Sequence, residues 1–162
     1  MTQSFARHLR RTRGSVLIAP VFFIGMLAGI SVPAYHDYTM RAHVTEGLNL
    51  AAGIKASVAE YYFEREKWPR DLRELAFDRA PRGQYVTFAA LNHGTVVIRY
   101  SRAAGARLAR GQLTLRPTVS PQGDVIWSCG YALDHGADPP SGPASPHATT
   151  LPAKFLPSSC RG

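Results

Sequence analysis

Hydrophobic and polar positions change their period twice along this chain. From Gly14 to Tyr35 no side chain is charged, whereas residues 1–13 carry Arg7, Arg10, Arg11 and Arg13 and no acid. As a helix, the stretch from Ser15 to Pro33 rises about 29 Å, the hydrocarbon thickness of a bilayer. The arginines before it hold the N-terminus in the cytoplasm and send the remainder out. A secretory signal cut near Ala28-Gly29-Ile30-Ser31 is the alternative, although its apolar core would be unusually long. Pro20 and Gly25 interrupt the run, which lipid tolerates better than water does.

After Pro33 the period becomes helical and amphipathic. Met40, Val44, Gly47, Leu48, Ala51, Ile54, Val58, Tyr61 and Tyr62 recur at three- and four-residue steps, with Arg41, Glu46, Lys55 and Glu60 between them. That predicts a helix to about Phe63 with one face seeking cover. A coiled coil is the alternative, but its seam would be mostly Ala and Gly. Residues 64–83 mix charges with Trp68-Pro69 and Ala80-Pro81 and read as a connecting loop with one helical turn at Leu72–Phe77.

Beyond this loop the period falls to two. Gln84–Ala90, Thr95–Ser101, Gln112–Arg116 and Asp124–Cys129 are short β-rich runs separated by turn residues. Four strands at hairpin spacing make an antiparallel meander, wet on one face and covered by the amphipathic helix on the other. The expected fold class is therefore α+β, a long N-terminal helix on a four-stranded antiparallel sheet. Its segments are a basic leader (1–14), an apolar helix (15–35), an amphipathic helix (36–63), a loop (64–83), the sheet (84–129) and a Pro-rich tail (130–162).

That tail lacks periodicity and would not order itself. Cys129 ends the last strand and Cys160 lies near the C-terminus, so a bridge between them tethers it. In the chain-entropy model a loop of about thirty residues gains roughly 3–4 kcal/mol. Export supplies the oxidising compartment; two buried free thiols are the alternative.

Composition adds a charge argument and removes an enzymatic one. With 45% hydrophobic and 19% charged residues the chain can build a core. Its +8 net charge rests on sixteen Arg and three Lys against eleven acids. Arg79, Arg82, Arg99, Arg102, Arg107, Arg110 and Arg116 fall in one acid-free stretch, which permits weak, salt-sensitive DNA binding. Arginines on loops and strand exteriors are the plainer reading. His36 and His43 are about 10 Å apart along a helix, and His8, His93, His135 and His147 are scattered, so no metal spacing emerges. Asp134-His135 has no serine on a strand-turn-helix elbow. No catalytic residue, metal or cofactor is expected, and Trp68 and Trp127 read as packing residues.

The order of these segments resembles the type IV pilins. Ile24 to Tyr38 looks like the pilin helix that passes through a Gly and a Pro, here Gly25 and Pro33, into Ala34-Tyr35-His36-Asp37-Tyr38. Gly47 to Tyr62 is similar to the Ala-rich continuation. Gly83-Gln84-Tyr85-Val86, Leu113-Thr114-Leu115-Arg116-Pro117, Gly123 to Cys129 and Leu156-Pro157-Ser158-Ser159-Cys160 resemble the sheet and terminal disulfide region.

The resemblance implies a structural subunit of a surface filament for adhesion, motility or DNA uptake, packed by its helix against other pilin subunits. It also implies an inner-membrane anchor, an exported domain and the pilus assembly machinery as a partner. A DNA-binding minor pilin, using Arg99, Arg102, Arg107 and Arg110, is the alternative. Family members are cut after a Gly, methylated on the following residue, usually Phe, and carry a Glu four residues further on that neutralises a neighbour's amine. Gly14 matches the cleavage site, whereas Ser15 stands where Phe is usual and Ala19 where Glu is expected. A charged amine in an apolar bundle is costly unless paired. The implied outcome is altered processing or impaired assembly.

Overall fold

The computed structural model describes residues 3–132 and 149–162; within the N-terminal helix, side chains are described at 23–26 and from Tyr35 onward. Helix α1 spans Gln3–Arg65, 63 residues whose backbone stays helical through Pro20 and Pro33. The chain divides into two compact units, residues 1–38 and residues 39–162.

In the second unit, α1 buries Met40, Val44, Gly47, Ala51, Ile54 and Val58, at steps of four and three residues. This stripe is the one the periodicity predicts, and it packs on a sheet rather than on a second helix. Leu48, Tyr61 and Tyr62 flank it, half buried. The helix end is followed by Glu66 in the left-handed region, and the Glu66 N–H donates to the Tyr62 carbonyl.

The sheet comprises β1 (Val86–Asn92), β2 (Thr95–Tyr100), β3 (Gln112–Val119) and β4 (Val125–Cys129), in the order β1-β2-β3-β4 and antiparallel throughout. Strand bounds shift by one to three residues from the sequence reading, and the two strands that run on past their expected ends do so for identifiable reasons. β1 runs on to Asn92 because its turn uses only His93 and Gly94, both at positive φ (46° and 82°), the geometry that matches strand twist in a tight hairpin. β3 continues through Pro117 to Val119. Its pairing with β2 ends at Leu115, so the missing Pro117 N–H breaks no rung on that side.

The expected wet face of the sheet is only partly wet. Leu113 and Leu115 face α1, and Thr114, Arg116 and Thr118 point the other way, yet all three are buried. The C-terminal segment covers the first two. Thr114 N–H donates to Thr149 Oγ1 at 3.2 Å, the two threonine hydroxyls meet at 2.8 Å, and an Arg116 guanidinium N–H reaches the Ala132 carbonyl at 3.4 Å. Leu151, Phe155, Leu156 and Cys160 complete the core, so the tail is structural wherever it is described. Residues 133–148, including Asp134, His135 and His147, lie outside the described residues.

The loop before β1 forms a short 3-10 turn, Leu72–Leu75, capped by Asp71, whose carboxylate accepts from the Arg73 N–H at 2.8 Å. It ends at Ala76, in the left-handed region at φ 58°.

Candidate functional site

The helix–sheet contact is set by the smallest residue on the buried stripe. A Cβ on Gly47 would strike Tyr100 Oη and lie 2.8 Å from Ile98 Cγ2 and 2.9 Å from Tyr100 Cζ. Only glycine lets the helix approach this far. The gap is bridged by Tyr100, whose buried hydroxyl donates to the Val44 carbonyl at 2.9 Å. Burial, with the Glu46 charge adding to it, holds this phenol above the usual tyrosine range. Glu46 in turn accepts the Tyr85 N–H at 3.1 Å. The Ala104 carbonyl can only accept, so His43 Nδ1 carries the proton in their 2.9 Å bond, while the His43 ring stacks on Tyr85 at 3.6 Å. These groups dock β1, β2 and the loop after β2 onto α1. Neither Gly47 nor Tyr100 carries a sequence signal that sets it apart from other glycines or strand tyrosines.

Cys129 and Cys160 are bridged across a separation of 31 residues. Beside the bridge lies a cavity of about 260 Å³ lined by Leu48, Ala52, Lys55, Leu115, Trp127 and Ser159. Lys55 Nζ sits 5.3 Å from the Trp127 ring centroid, and burial lowers its pKa from the usual lysine value. Two further cavities among the described residues lie open to solvent, one lined by Ser57, Glu60, Tyr61 and Glu74 and the other by Asp71, Phe77 and Arg79. Among the described residues no group of three or more His, Cys, Asp or Glu is placed to hold a metal ion.

The arginine-rich stretch is not one stripe. Arg116 is buried, with 3% exposure, and the half-buried Arg99 donates to the Arg110 carbonyl (3.1 Å) and to Gln112 Oε1 (3.0 Å). Arg102, Arg107 and Arg110 remain exposed on the β2–β3 loop, whose Ala104 and Leu108 are buried beneath them.

In the first unit, the described large apolar side chains are exposed. Phe23, Ile24, Met26, Tyr35 and Tyr38 are each at least 65% exposed. A helix surface this apolar calls for another apolar surface, whether lipid or protein. Gly14, Ser15 and Ala19 fall within the helical backbone, but their side chains, like most of those between residues 14 and 34, lie outside the described residues. Among the described residues no helix is long and apolar enough to cross a membrane.

The sequence profile of the pilin family of bacterial filaments matches residues 40–161. A type IV major pilin protein, PilE1 of Neisseria gonorrhoeae, is 32% identical over 149 residues, covering 90% of this chain and 83% of the relative. The fimbrial protein EcpC of Eikenella corrodens is 30% identical, covering 90% and 86%. The type IV major fimbrial protein FimA of Dichelobacter nodosus is 46% identical over 44 residues, which are 27% of this chain and 28% of the relative.

Proposed function

The chain belongs to the pilin family, and we infer from that premise that it is a structural subunit of a type IV pilus, its work being polymerisation rather than catalysis. The match over residues 40–161 carries this reading. It is supported by a stripe of α1 buried on an antiparallel sheet and by a disulfide that closes the C-terminal segment. Other pilin subunits are its partners and the cell-surface filament is its destination.

Before assembly, the uncharged run from Gly14 to Tyr35 anchors the subunit in the inner membrane, with residues 39–162 exported. The arginines at 7, 10, 11 and 13 keep the leader inside. Cleavage after Gly14 would free the Ser15 amine, and Ala19 offers no carboxylate to neutralise a neighbour's amine in the filament core. An unpaired buried charge costs several kcal/mol, more than a single polar helix–helix contact in lipid returns, about 1 kcal/mol. The subunit is therefore a rare component that joins filaments built from other pilins and polymerises poorly alone. The test is to express it as the sole pilin in an assembly-competent cell, image sheared surface material and identify the N-terminus by mass spectrometry. Sparse or absent homopolymers are expected; abundant filaments made of this chain alone would refute the rare-component reading.

A further inference from the structure

Three acid-free segments from distant parts of the sequence meet on the first turns of α1 in the second unit. They are residues 39–45, the β2–β3 loop (101–111) and residues 149–162. The β2–β3 loop rests on the helix through the His43–Ala104 bond and through Gly105, where an added Cβ would lie 2.8 Å from Met40 Cε. The turn at Ala153–Phe155 reaches the same helical turn, where Arg41 Nε–H donates to the Lys154 carbonyl at 3.2 Å. Arg41, Arg102, Arg107, Arg110 and Lys154 are all exposed. Buried Ala104 and Leu108 pin the β2–β3 loop from beneath, so its three arginines stand on a fixed base.

The other end of this stretch of helix is different. From Met40 to Arg65, α1 rises roughly 37 Å. There the cations Arg65, Lys67, Arg70 and Arg73 are interleaved with Glu60, Glu64, Glu66, Asp71 and Glu74. Glu74 accepts from both the Tyr61 hydroxyl and the Arg70 N–H. Cations outnumber acids at the first end, where Glu46 lies close enough to act on Tyr100 and Asp37 precedes Arg41 by four residues in the chain, and the two signs are evenly mixed at the second. In the chain, Arg41 lies six residues past Tyr35, where the uncharged run ends.

We propose that the Arg41, Arg102, Arg107 and Arg110 end of the unit is a docking surface for the anionic phosphate headgroups of the membrane in which the subunit waits before assembly. This rests on the membrane-anchored reading above. Each cation near an anionic bilayer adds attraction that fades within a Debye length, so the contact is tight at low salt and released by high salt. The collar holds the exported unit against the leaflet. It also gives the acid-free arginine stretch a role that does not require one continuous stripe.

The test is amide hydrogen exchange on the full chain, reconstituted in nanodiscs of phosphatidylethanolamine and phosphatidylglycerol and, separately, of phosphatidylcholine alone. Exchange across residues 101–111 should slow about tenfold in the anionic discs, a conservative figure for three arginines at an anionic surface. The difference should vanish in 0.5 M salt, on the order of a 4 Å screening length. It should also vanish in an Arg102→Gln, Arg107→Gln, Arg110→Gln variant and persist in an Arg70→Gln, Arg73→Gln control. Inorganic phosphate added to the phosphatidylcholine discs should protect nothing. Equal exchange in both lipids, equal loss in the control variant, or stronger protection by soluble duplex DNA than by anionic discs would each overturn the proposal. Alkaline extraction of native membranes separates the two readings, since release of the chain would defeat the anchor itself, whereas retention with unprotected arginines defeats only the collar.

Discussion

Replacing Gly47 by Ala should destabilise this protein, although the same change normally favours a helix. In a helix interior Gly→Ala gains about 1 kcal/mol from backbone entropy. At Gly47 the added methyl would collide with Tyr100 Oη and sit within 3 Å of Ile98 Cγ2 and Tyr100 Cζ. Overpacking of this kind costs about 1–3 kcal/mol. Tyr100 cannot swing aside freely, because its hydroxyl is bonded to the Val44 carbonyl in a buried site. Giving up that bond adds roughly 1 kcal/mol. The net expectation is a loss of about 1–3 kcal/mol, the steric and hydrogen-bond terms outweighing the propensity gain.

Gly53, six residues along the same helix, is the internal control, since a Cβ there meets nothing within 4 Å. Gly53→Ala should therefore stabilise by about 0.5–1 kcal/mol. Urea unfolding of the purified protein, followed by Trp68 and Trp127 fluorescence, measures both. A Gly47→Ala variant as stable as the parent, alongside a stabilised Gly53→Ala, would show that the helix does not approach the sheet as closely as described. Combining Gly47→Ala with Tyr100→Phe should cost less than the two changes summed, because the nearest obstruction is gone.

Three further outcomes follow from the same contacts. Folding holds the Tyr100 phenol protonated, so the unfolded chain loses that proton first, near pH 10. Its stabilisation is complete below that pH and falls on further alkalinisation by up to about 1.4 kcal/mol per pH unit. Tyr100→Phe should flatten that part of the stability profile between pH 9 and 11, and identical slopes would count against it. Reducing the Cys129–Cys160 bridge should cost roughly 3–4 kcal/mol by loop entropy, seen as a lower urea midpoint with dithiothreitol, and an unchanged midpoint would mean the tail is held by its packing alone. Among the described residues Thr118 Oγ1 is buried without a hydrogen-bond partner, so Thr118→Val should stabilise by about 1 kcal/mol in the same assay, and a loss would reveal a partner for the hydroxyl.

Much of the architecture is written locally. The four-and-three spacing from Met40 to Val58 marks the buried stripe because a helix returns to the same face at that interval whatever lies opposite. The β-rich runs and the His93-Gly94 turn likewise mark a meander, since strand alternation and positive φ are properties of a few adjacent residues. The uncharged run and the basic head need only be counted.

What the tertiary structure decided is which polar positions are not exposed. Thr114, Arg116 and Thr118 alternate with apolar residues as a wet strand face would, yet all three are buried, the first two beneath a tail without periodicity. Arg99 and Arg116 look like their neighbours Arg102, Arg107 and Arg110, yet only the latter three are exposed. Gly47 reads as a weak point in a helix until Tyr100 arrives from across the sheet. Each of these depends on pairs separated by tens of residues, and contact between distant segments leaves no period in a single sequence. Whether another segment comes to lie over a polar side chain is decided only in the folded chain.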